Sequence, residues 1–365
     1  MKILIDDGFQ LEVGTGIGQY TKMLIEDLER KNESVEVTEY KYMSKTNKNL
    51  RRFLYLIYIN TIRKFNEYKY DVVHYTNYAV PFTRSKKCIN VVTIHDLVAY
   101  KFPETLPKFY RIYNQMMIKN SLKKADLIIT VSESVKNEIA EIFPQYKSKV
   151  EVVYIGVSDA IKNMKNNKSE NISDKINEIV KSKFFLFVGT IEKRKNVDFI
   201  VKAFIKAKKE NPEMSQYKLI LAGKPGFGYE EIESMIKSSE YENDIISTGY
   251  VSDDELSLIY KECEAYVFAS KYEGFGIPQI ECMECETPII LSDIPTNIEI
   301  SEEYGEYFKL GDEDSLIEKF MIFAKNNYDY EHKNKIAREK IKNFDRDVLI
   351  SKIINLYNKT IEGKG

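Results

Sequence analysis

Short runs of β-branched and aromatic residues alternate with amphipathic helical patterns along this chain of 365 residues. Such alternation is typical of parallel sheets whose strands are joined by crossover helices. The predicted strands form two successive sets: 2–5, 35–39, 72–75, 91–95, 127–131 and 150–153, then 184–188, 218–222, 245–248, 265–268 and 289–291. Because the length exceeds that of one ordinary core, the pattern predicts an α/β protein with two Rossmann-like domains.

The boundary between the two sets is predicted from composition. Residues 162–173 are rich in Lys, Asn and Ser and poor in apolar residues, which is typical of a linker. We therefore expect an N-terminal domain over 1–162 and a C-terminal domain over 174–344. The final stretch, 345–361, has a helical pattern.

Overall composition restricts the class of protein. A hydrophobic content of 43% and a charged content of 30% are typical of a soluble globular chain. The net charge of −2 argues against a nucleic-acid-binding protein, which would usually be basic. Residues 1–7 pass directly from a short apolar run to acids, and the longest apolar run, 53–59, is too short to span a membrane. We expect no signal peptide and a cytoplasmic location.

Four cysteines, at positions 88, 263, 282 and 285, are too few for a disulfide framework in a chain of this size. Cys282 and Cys285 form a C-x-x-C pair, but no second pair completes a zinc site. The pattern favours buried thiols over a metal site.

The nonapeptide 273–281, E-G-F-G-I-P-Q-I-E, places two carboxylates eight residues apart around the start of a predicted helix. Pro278 marks that start, because proline at the first helical position loses no hydrogen bond. Side chains lean toward the N-terminus of a helix, so Glu281 points back toward Glu273. The two glycines let backbone amides approach a ligand at the positive helix end. This predicts an anion site flanked by acids, which matches a nucleotide sugar with its diphosphate between two diols.

The nonapeptide resembles the E-x7-E motif of the retaining glycosyltransferases of family 4, with their usual Glu-Gly-Phe-Gly core. The resemblance extends over nearly the whole chain and is most specific over 184–300. It implies the GT-B architecture, in which two Rossmann-like parallel-sheet domains face each other across a cleft. It also implies that the last helix, 345–365, packs back on the N-terminal domain.

The loop 190–196, T-I-E-K-R-K-N, joins the strand 184–188 to a predicted helix over 197–209. Adjacent cations at a helix start can neutralise a diphosphate without a metal ion. A solvated basic turn is the alternative. In the resembling family, the lysine that matches Lys195 and a neighbouring arginine, here Arg194, hold the donor phosphates, which favours a functional role.

The glycine-rich loop 14–20, G-T-G-I-G-Q-Y, opens a helix and could bind a phosphate from the opposite side through Gly16 and Gly18. It also raises the alternative of a dinucleotide-binding oxidoreductase, since Glu39 closes the second predicted strand about twenty residues on. Two features disfavour that alternative. The first strand ends well before the glycines, and Gln19 stands where the fingerprint has its third glycine.

Two further strand ends carry candidate residues. His95, followed by Asp96, ends a predicted strand, and the residues alone leave a structural or a functional histidine equally open. In the resembling family, the matching His-Asp lies near the transferred sugar. Tyr250 and Val251 match the family's base-contacting turn, with ordinary strand-end packing as the alternative.

Metal ions and other cofactors are not expected. The acidic stretches 312–314 and 345–347 resemble D-x-D metal motifs on paper, but each opens a predicted helix. Acids in the first turn of a helix are favourable for electrostatic reasons alone.

The segment 41–70 carries eight Lys or Arg against the single acid Glu67, interleaved with aromatic residues. Such a segment could lie on an anionic membrane at the inner face and recruit a lipid-linked acceptor. The alternative is a core helix of the N-terminal domain with a solvated basic face.

Taken with the resemblance, these residues predict a retaining, metal-independent glycosyltransferase. It would move a hexose from a nucleoside diphosphate sugar to a saccharide or lipid-linked saccharide in the synthesis of a surface polysaccharide such as lipopolysaccharide. GDP-mannose is favoured over UDP- and dTDP-sugars, because the region of His95 and the tripeptide 102–104 resembles bacterial mannosyl- and rhamnosyltransferases. A catalytically silent interaction module is the other alternative. The predicted site residues are Glu273 and His95 as catalytic residues, and Gly16, Gly18, Arg194, Lys195, Tyr250, Val251, Phe275, Gly276, Ile277 and Glu281 as donor-binding residues.

Overall fold

The structure is a computed structural model of the chain, and it describes residues 1–8, 16–38, 54–55, 57–61, 69–78, 80–83, 87–164 and 172–364. The chain divides into two compact units. One comprises Met1–Gly156 together with Asp345–Gly365, and the other comprises Val157–Phe344.

The strands of the described ranges are as follows. They are β1 Lys2–Asp6, β2 Ser34–Val37, β3 Val72–Tyr75, β4 Ile89–Ile94, β5 Leu127–Thr130, β6 Val150–Val152, β7 Lys183–Val188, β8 Tyr217–Ala222, β9 Ile245–Gly249, β10 Ala265–Phe268, β11 Ile289–Ser292 and β12 Glu306–Phe308. Every predicted strand is present, although Glu39 lies outside the described residues. The strand β12 was not predicted, because its three residues at the sheet edge include no β-branched side chain.

The α-helices of the same ranges are α1 Gly16–Arg30, α2 Val98–Lys101, α3 Lys108–Lys124, α4 Glu133–Ile142, α5 Asp159–Met164, α6 Asp174–Ile179, α7 Val197–Glu210, α8 Tyr229–Lys237, α9 Asp253–Glu262, α10 Ile277–Cys285, α11 Pro295–Ser301, α12 Glu313–Ala324, α13 Tyr330–Lys340 and α14 Arg346–Glu362. None of these helices is both long enough and apolar enough to cross a bilayer. The predicted helices after 196 and after 345 are confirmed.

The first unit is built on a parallel sheet, with six described strands in the order β2-β1-β3-β4-β5-β6. The strands β3, β4 and β5 are buried along their whole length, as expected when helices cover both faces of a parallel sheet. The last helix, α14, belongs to this unit and packs on α1. Its buried Arg346 donates to Asp27, with Nη2 2.6 Å from Oδ1. This ion pair ties the C-terminal segment to the first helix.

A buried histidine also holds α14 in the first unit. The Nδ1 atom of His74 lies 2.6 Å from the hydroxyl of Tyr357, and its Nε2 atom lies 2.7 Å from that of Thr93. Burial and the nearby His95 lower the pKa of His74 to about 3. The ring therefore stays neutral in the folded protein at physiological pH.

We expect this histidine to make stability depend on pH. Above pH 6.5 the ring is neutral in both the folded and the unfolded chain, so pH has no effect through it. Between about 6.5 and 3 only the unfolded chain binds the proton, so the free energy of unfolding falls by about 1.4 kcal/mol per pH unit. Urea unfolding at pH 7 and pH 5 should show a loss about 2 kcal/mol larger for the wild type than for His74→Gln.

The exposed His332 supplies the control for this experiment. The variant His332→Gln should keep the pH dependence of the wild type. Equal pH dependence in the wild type and in His74→Gln would show that His74 is not buried as a neutral ring.

The second unit also contains a parallel sheet, whose described strands follow the order β12-β11-β10-β7-β8-β9. The chain runs outward from β7 through β8 to β9, and then crosses to β10 on the other side of β7. The strand order therefore reverses between β7 and β10. In open α/β sheets, ligands bind outside the carboxyl ends of the strands at such a switch point.

The second unit begins at Val157, ahead of the expected boundary at 162. The physical reason is α5, which packs against α9 and α10 of this unit. Residues 165–171 of the expected linker lie outside the described residues.

Candidate active site

The first loop of the candidate site follows β7 and carries Lys195 at the end of a 3-10 turn over Lys193–Lys195. The Nζ atom of Lys195 lies 6.0 Å from the ring centroid of Phe268, the last residue of β10. It also lies against Gly189, where a Cβ atom would come within 2.8 Å of it and where φ is +138°. The backbone angle favours glycine there, because side chains with a Cβ atom rarely adopt it. The ammonium group thus lies at the carboxyl ends of β7 and β10.

The other cations of this turn differ from Lys195. Lys193 is exposed, and its Nζ atom forms an ion pair with Glu231 at 2.5 Å. The side chain of Arg194 lies outside what the structure describes, so its predicted contact with phosphate stays a prediction.

The second loop follows β10 and leads into α10, as the sequence predicted. The helix begins at Ile277 with Pro278 in its first turn, and Gly276 precedes it with φ of +89°. A Cβ atom on Gly276 would lie 2.2 Å from Nε2 of Gln279, so this position also requires glycine. Phe275 is buried and packs edge-on against Phe344, with ring centroids 6.0 Å apart. Its side chain therefore anchors the loop, while its backbone stays at the helix N-terminus.

Glu281 lies in α10 and is 7% exposed. Its Oε2 atom accepts a hydrogen bond of 3.2 Å from the hydroxyl of Tyr260 in α9. Burial, together with the charge of Glu281, raises the pKa of Tyr260 well above its usual value. Tyr260 therefore remains a hydrogen-bond donor, and it fixes the position of the carboxylate.

Glu273 lies on the loop ahead of α10 and is half-buried. The hydroxyl of Ser270 donates to its Oε1 atom at 2.9 Å. The hydroxyl of Thr296 donates to its backbone carbonyl at 2.8 Å. Both the side chain and the backbone of Glu273 are therefore held in place.

A buried network of polar side chains supports this loop from below. Gln279 Nε2 donates to Asn297 Oδ1 at 2.9 Å and to the carbonyl of Phe275 at 3.3 Å. Ser301 donates to Gln279 Oε1 at 2.7 Å, and Asn297 Nδ2 donates to the carbonyl of Ser292 at 2.9 Å. Each buried polar group finds a partner, which makes such a network rigid. It positions the amides at the start of α10.

The third loop of the site, 223–228, follows β8 and runs beside 190–193, to which backbone hydrogen bonds join it. Lys224 places its Nζ atom 5.3 Å from the ring centroid of Tyr250. The ring of Tyr250 is 72% exposed, and Val251 is half-buried. The predicted base-contacting turn therefore presents a flat aromatic face that could stack on a nucleobase.

In the first unit, His95 follows β4. Its Nε2 atom lies 2.9 Å from the carbonyl of Thr76, and its ring packs edge-on against Tyr20 with centroids 4.9 Å apart. Burial lowers the pKa of His95 to about 4, although the bond to Thr76 opposes that shift. Because a carbonyl can only accept, Nε2 carries the proton and Nδ1 is an acceptor. Neutral His95 could thus orient a sugar hydroxyl. Asp96 accepts from the amide of Val98 at the start of α2.

The other predicted features of the first unit are described in part. Gly16 is the first residue of α1, and Gly18 is buried in its first turn, but the loop 9–15 lies outside the described residues. Most of 41–70 lies outside them too. In the part that is described, Tyr55 and Ile59 are buried against Met117, which agrees with the core interpretation of that part.

The four cysteines and the two acidic stretches all lie within the described residues. None of the four cysteines forms a disulfide; Cys88, Cys263 and Cys282 are buried and Cys285 is half-buried. Asp312 and Asp345 each cap a helix by accepting from backbone amides, as predicted for the two acidic stretches. Within the described ranges, no group of three or more His, Cys, Asp or Glu side chains is arranged to hold a metal ion.

Sequence reasoning missed several supporting residues, notably Tyr260, Ser270 and Gln279. A signal existed for Gln279, since it is a polar residue beside the apolar stripe of α10. No local pattern points to Tyr260, because its partner Glu281 is 21 positions away.

The arrangement in the second unit has a clear chemical character. At the switch point between β7 and β10, the Lys195 ammonium lies near Phe268, the last residue of β10. The loop that follows β10 carries Glu273 and leads into α10, which has a glycine at its N-terminus and carries Glu281. A cation and helix amides stabilise an anion, and the carboxylates accept hydroxyl hydrogen bonds. The site therefore suits a ligand that combines phosphate groups with polyhydroxylated rings.

Two family models match the chain. Residues 16–160 match the model described as Glycosyltransferase Family 4, and residues 168–343 match the model described as Glycosyl transferases group 1. Together they cover most of the chain and fall almost entirely on separate units.

Similar proteins agree with these matches. The O-antigen chain mannosyltransferase RfbU of Salmonella typhimurium is 29% identical over 72% of this chain, and O-antigen chain mannosyltransferase B of Escherichia coli is 27% identical over 68%. The aligned regions span 67% and 64% of those two relatives. The sucrose-phosphate synthase structure from Thermosynechococcus elongatus covers 98% of this chain and 99% of its own, with a TM-score of 0.77 at 18% identity. That likeness shows the fold, which is GT-B as predicted.

Proposed function

The chain belongs to the family 4 glycosyltransferases, and on that basis we propose a retaining enzyme that transfers a hexose from a nucleoside diphosphate sugar. The acceptor is a saccharide or a lipid-linked saccharide of a surface polysaccharide. One observation carries the proposal. Lys195 and the loop that bears Glu273 lie at the carboxyl ends of β7 and β10, where the strand order of the second sheet reverses.

Each site residue has a role in this proposal. When the bond between the sugar and the diphosphate breaks, the electron pair stays on the leaving group, whose negative charge grows. Lys195 and the amides of 275–277 stabilise that charge. Glu273 binds hydroxyls of the ring as it becomes oxocarbenium-like, and Glu281 binds the ribose. His95 orients a hydroxyl of the sugar or of the acceptor through Nδ1.

GDP-mannose is the proposed donor. The support is that both relatives named above are O-antigen mannosyltransferases.

The proposal is tested by thermal melting with GDP-mannose, UDP-glucose, dTDP-rhamnose and NAD. A ligand that binds only the folded protein stabilises it by about 2.7 kcal/mol at a hundred times its Kd. We expect GDP-mannose to raise Tm most, and Lys195→Ala to reduce that shift. A shift with NAD alone would favour an oxidoreductase. Binding of GDP-mannose without transfer to any polysaccharide precursor would favour a silent module.

Transfer should need no metal ion. We expect the full rate to persist in excess EDTA, because the proposed neutralising groups are Lys195, Arg194 and a helix N-terminus rather than a bound cation. The measurement is the initial rate of sugar transfer with and without the chelator. Loss of activity that magnesium or manganese restores would contradict this account.

A further inference from the structure

Helix α3 of the first unit carries apolar side chains on two opposite faces. One face is buried and includes Met117, Ile118 and Leu122. The other face is exposed, with Phe109 at 89%, Ile112 at 50% and Met116 at 45%. Leaving a phenylalanine this exposed forgoes a large hydrophobic gain, so a stripe of such residues marks an interaction surface.

The exposed stripe has helical spacing. Phe109, Ile112 and Met116 are followed by the exposed Lys119 and Lys123 at the same three- and four-residue intervals. At 100° per residue, all five positions lie within an arc of about 80°. One line along α3 is thus apolar in its first half and basic in its second.

Elements next to α3 also expose large hydrophobic side chains. Of the ten large hydrophobic side chains that are exposed among the described residues, five lie on α3, on the helical segment 57–60 or at Phe82. The segment 57–60 packs on α3 through Ile59 and Met117, and Phe82 donates its amide to Asn60. Exposed Ile57 and Phe82 therefore lie on elements joined to α3.

The charge of this face identifies its partner. Helix α3 contains Lys108, Arg111, Lys119, Lys123 and Lys124 and no acidic residue. The nearest acid before it along the chain is the exposed Glu104. An acyl-chain boundary takes up aromatic and aliphatic side chains, and anionic headgroups attract Lys and Arg. We propose that the α3 face, defined as Phe109, Ile112, Met116, Lys119 and Lys123, docks the protein on an anionic lipid bilayer.

This inference does not depend on the proposed function, since its test contains no nucleotide and no sugar. The chain has no tryptophan, so Phe109→Trp provides a single fluorescent reporter. Vesicles of phosphatidylglycerol with phosphatidylcholine should shift its emission to the blue and protect it from an aqueous quencher. Phe227→Trp is the matched control, because Phe227 is 86% exposed but lies in the second unit. Its emission should not change.

Vesicle co-sedimentation tests the two halves of the α3 face separately. Phe109→Ser with Met116→Ser, and Lys119→Glu with Lys123→Glu, should each weaken binding at least about tenfold. Both pairs are exposed, so their melting temperatures should match that of the wild type. Pure phosphatidylcholine, or salt at about 1 M, should bind far less protein.

Three results would overturn the inference. One is wild-type binding by the charge-reversed or the serine variants. Another is vesicle binding with no change in the Phe109→Trp emission, which would place the docking surface elsewhere. The third is a concentration-dependent dimer that the serine pair abolishes while vesicles bind nothing, which would make the α3 face a contact between copies of this chain.

Discussion

Lys195→Ala will lower the turnover of sugar transfer by about two orders of magnitude or more, which is the usual effect of deleting one donor to developing charge. The structure gives the reason. The ammonium lies at the carboxyl ends of β7 and β10, fitted against Gly189 and the ring of Phe268. Because the ammonium already lies at the switch point before the reaction, little free energy is spent on moving it as the diphosphate leaves.

The control for this prediction lies two residues away. Lys193 belongs to the same turn, but its ammonium pairs with Glu231. Lys193→Ala removes the same charge and should leave kcat within about twofold of the wild type, because surface ion pairs contribute little. Steady-state kinetics on both variants is the measurement. If the two substitutions lower kcat equally, or if neither lowers it, the basic turn is a solvated surface turn without a role in catalysis.

Much of the fold could be predicted from the sequence, because its signals are local. Every residue of β3 and β10 is buried, and each strand begins where a run of buried residues begins. Helix α10 begins beside Pro278, and Asp312 and Asp345 cap helices as acids at a helix start should. Each of these features is determined by a few neighbouring residues.

The support of the site could not be predicted in the same way, because it depends on contacts distant in sequence. In the sequence, Gln279 is only a polar residue within the apolar stripe of α10. The structure shows that Asn297 and Ser301 form hydrogen bonds with its side-chain amide. The adjacency of β7 and β10 likewise needs the sheet order, which no local pattern contains. The pairing of Tyr260 with Glu281 joins two helices whose packing angle follows from the whole core.

We expect substitution of the two glutamates of the nonapeptide to change different kinetic constants, KM for one and kcat for the other. Glu281 is buried and accepts a hydrogen bond from Tyr260. In the proposed function it binds the ribose, which is distant from the bond that breaks. Its contribution is then largely the same in the ground state and the transition state, so Glu281→Ala should mainly raise the donor KM. Binding of the free nucleoside diphosphate should also weaken.

Glu273 should instead affect the chemical step. Its carboxylate is half-buried on the loop ahead of α10. In the proposed function it binds hydroxyls of the reacting ring, and those hydrogen bonds can strengthen as the ring flattens. Glu273→Ala should therefore mainly lower kcat, while the nucleoside diphosphate binds almost as before. Calorimetry with the nucleoside diphosphate and steady-state kinetics on both variants are the measurements.

Matched variants make this comparison specific. Tyr260→Phe removes only the hydroxyl that contacts Glu281, and should raise KM in the same direction by a smaller factor. Ser270→Ala removes the hydroxyl that contacts Glu273, and should lower kcat with little change in KM. If Glu273→Ala loses the diphosphate while Glu281→Ala keeps it, the assigned orientation of the donor is reversed. If both variants bind the nucleoside diphosphate and transfer sugar as the wild type does, the nonapeptide forms the start of a helix and has no role in the reaction.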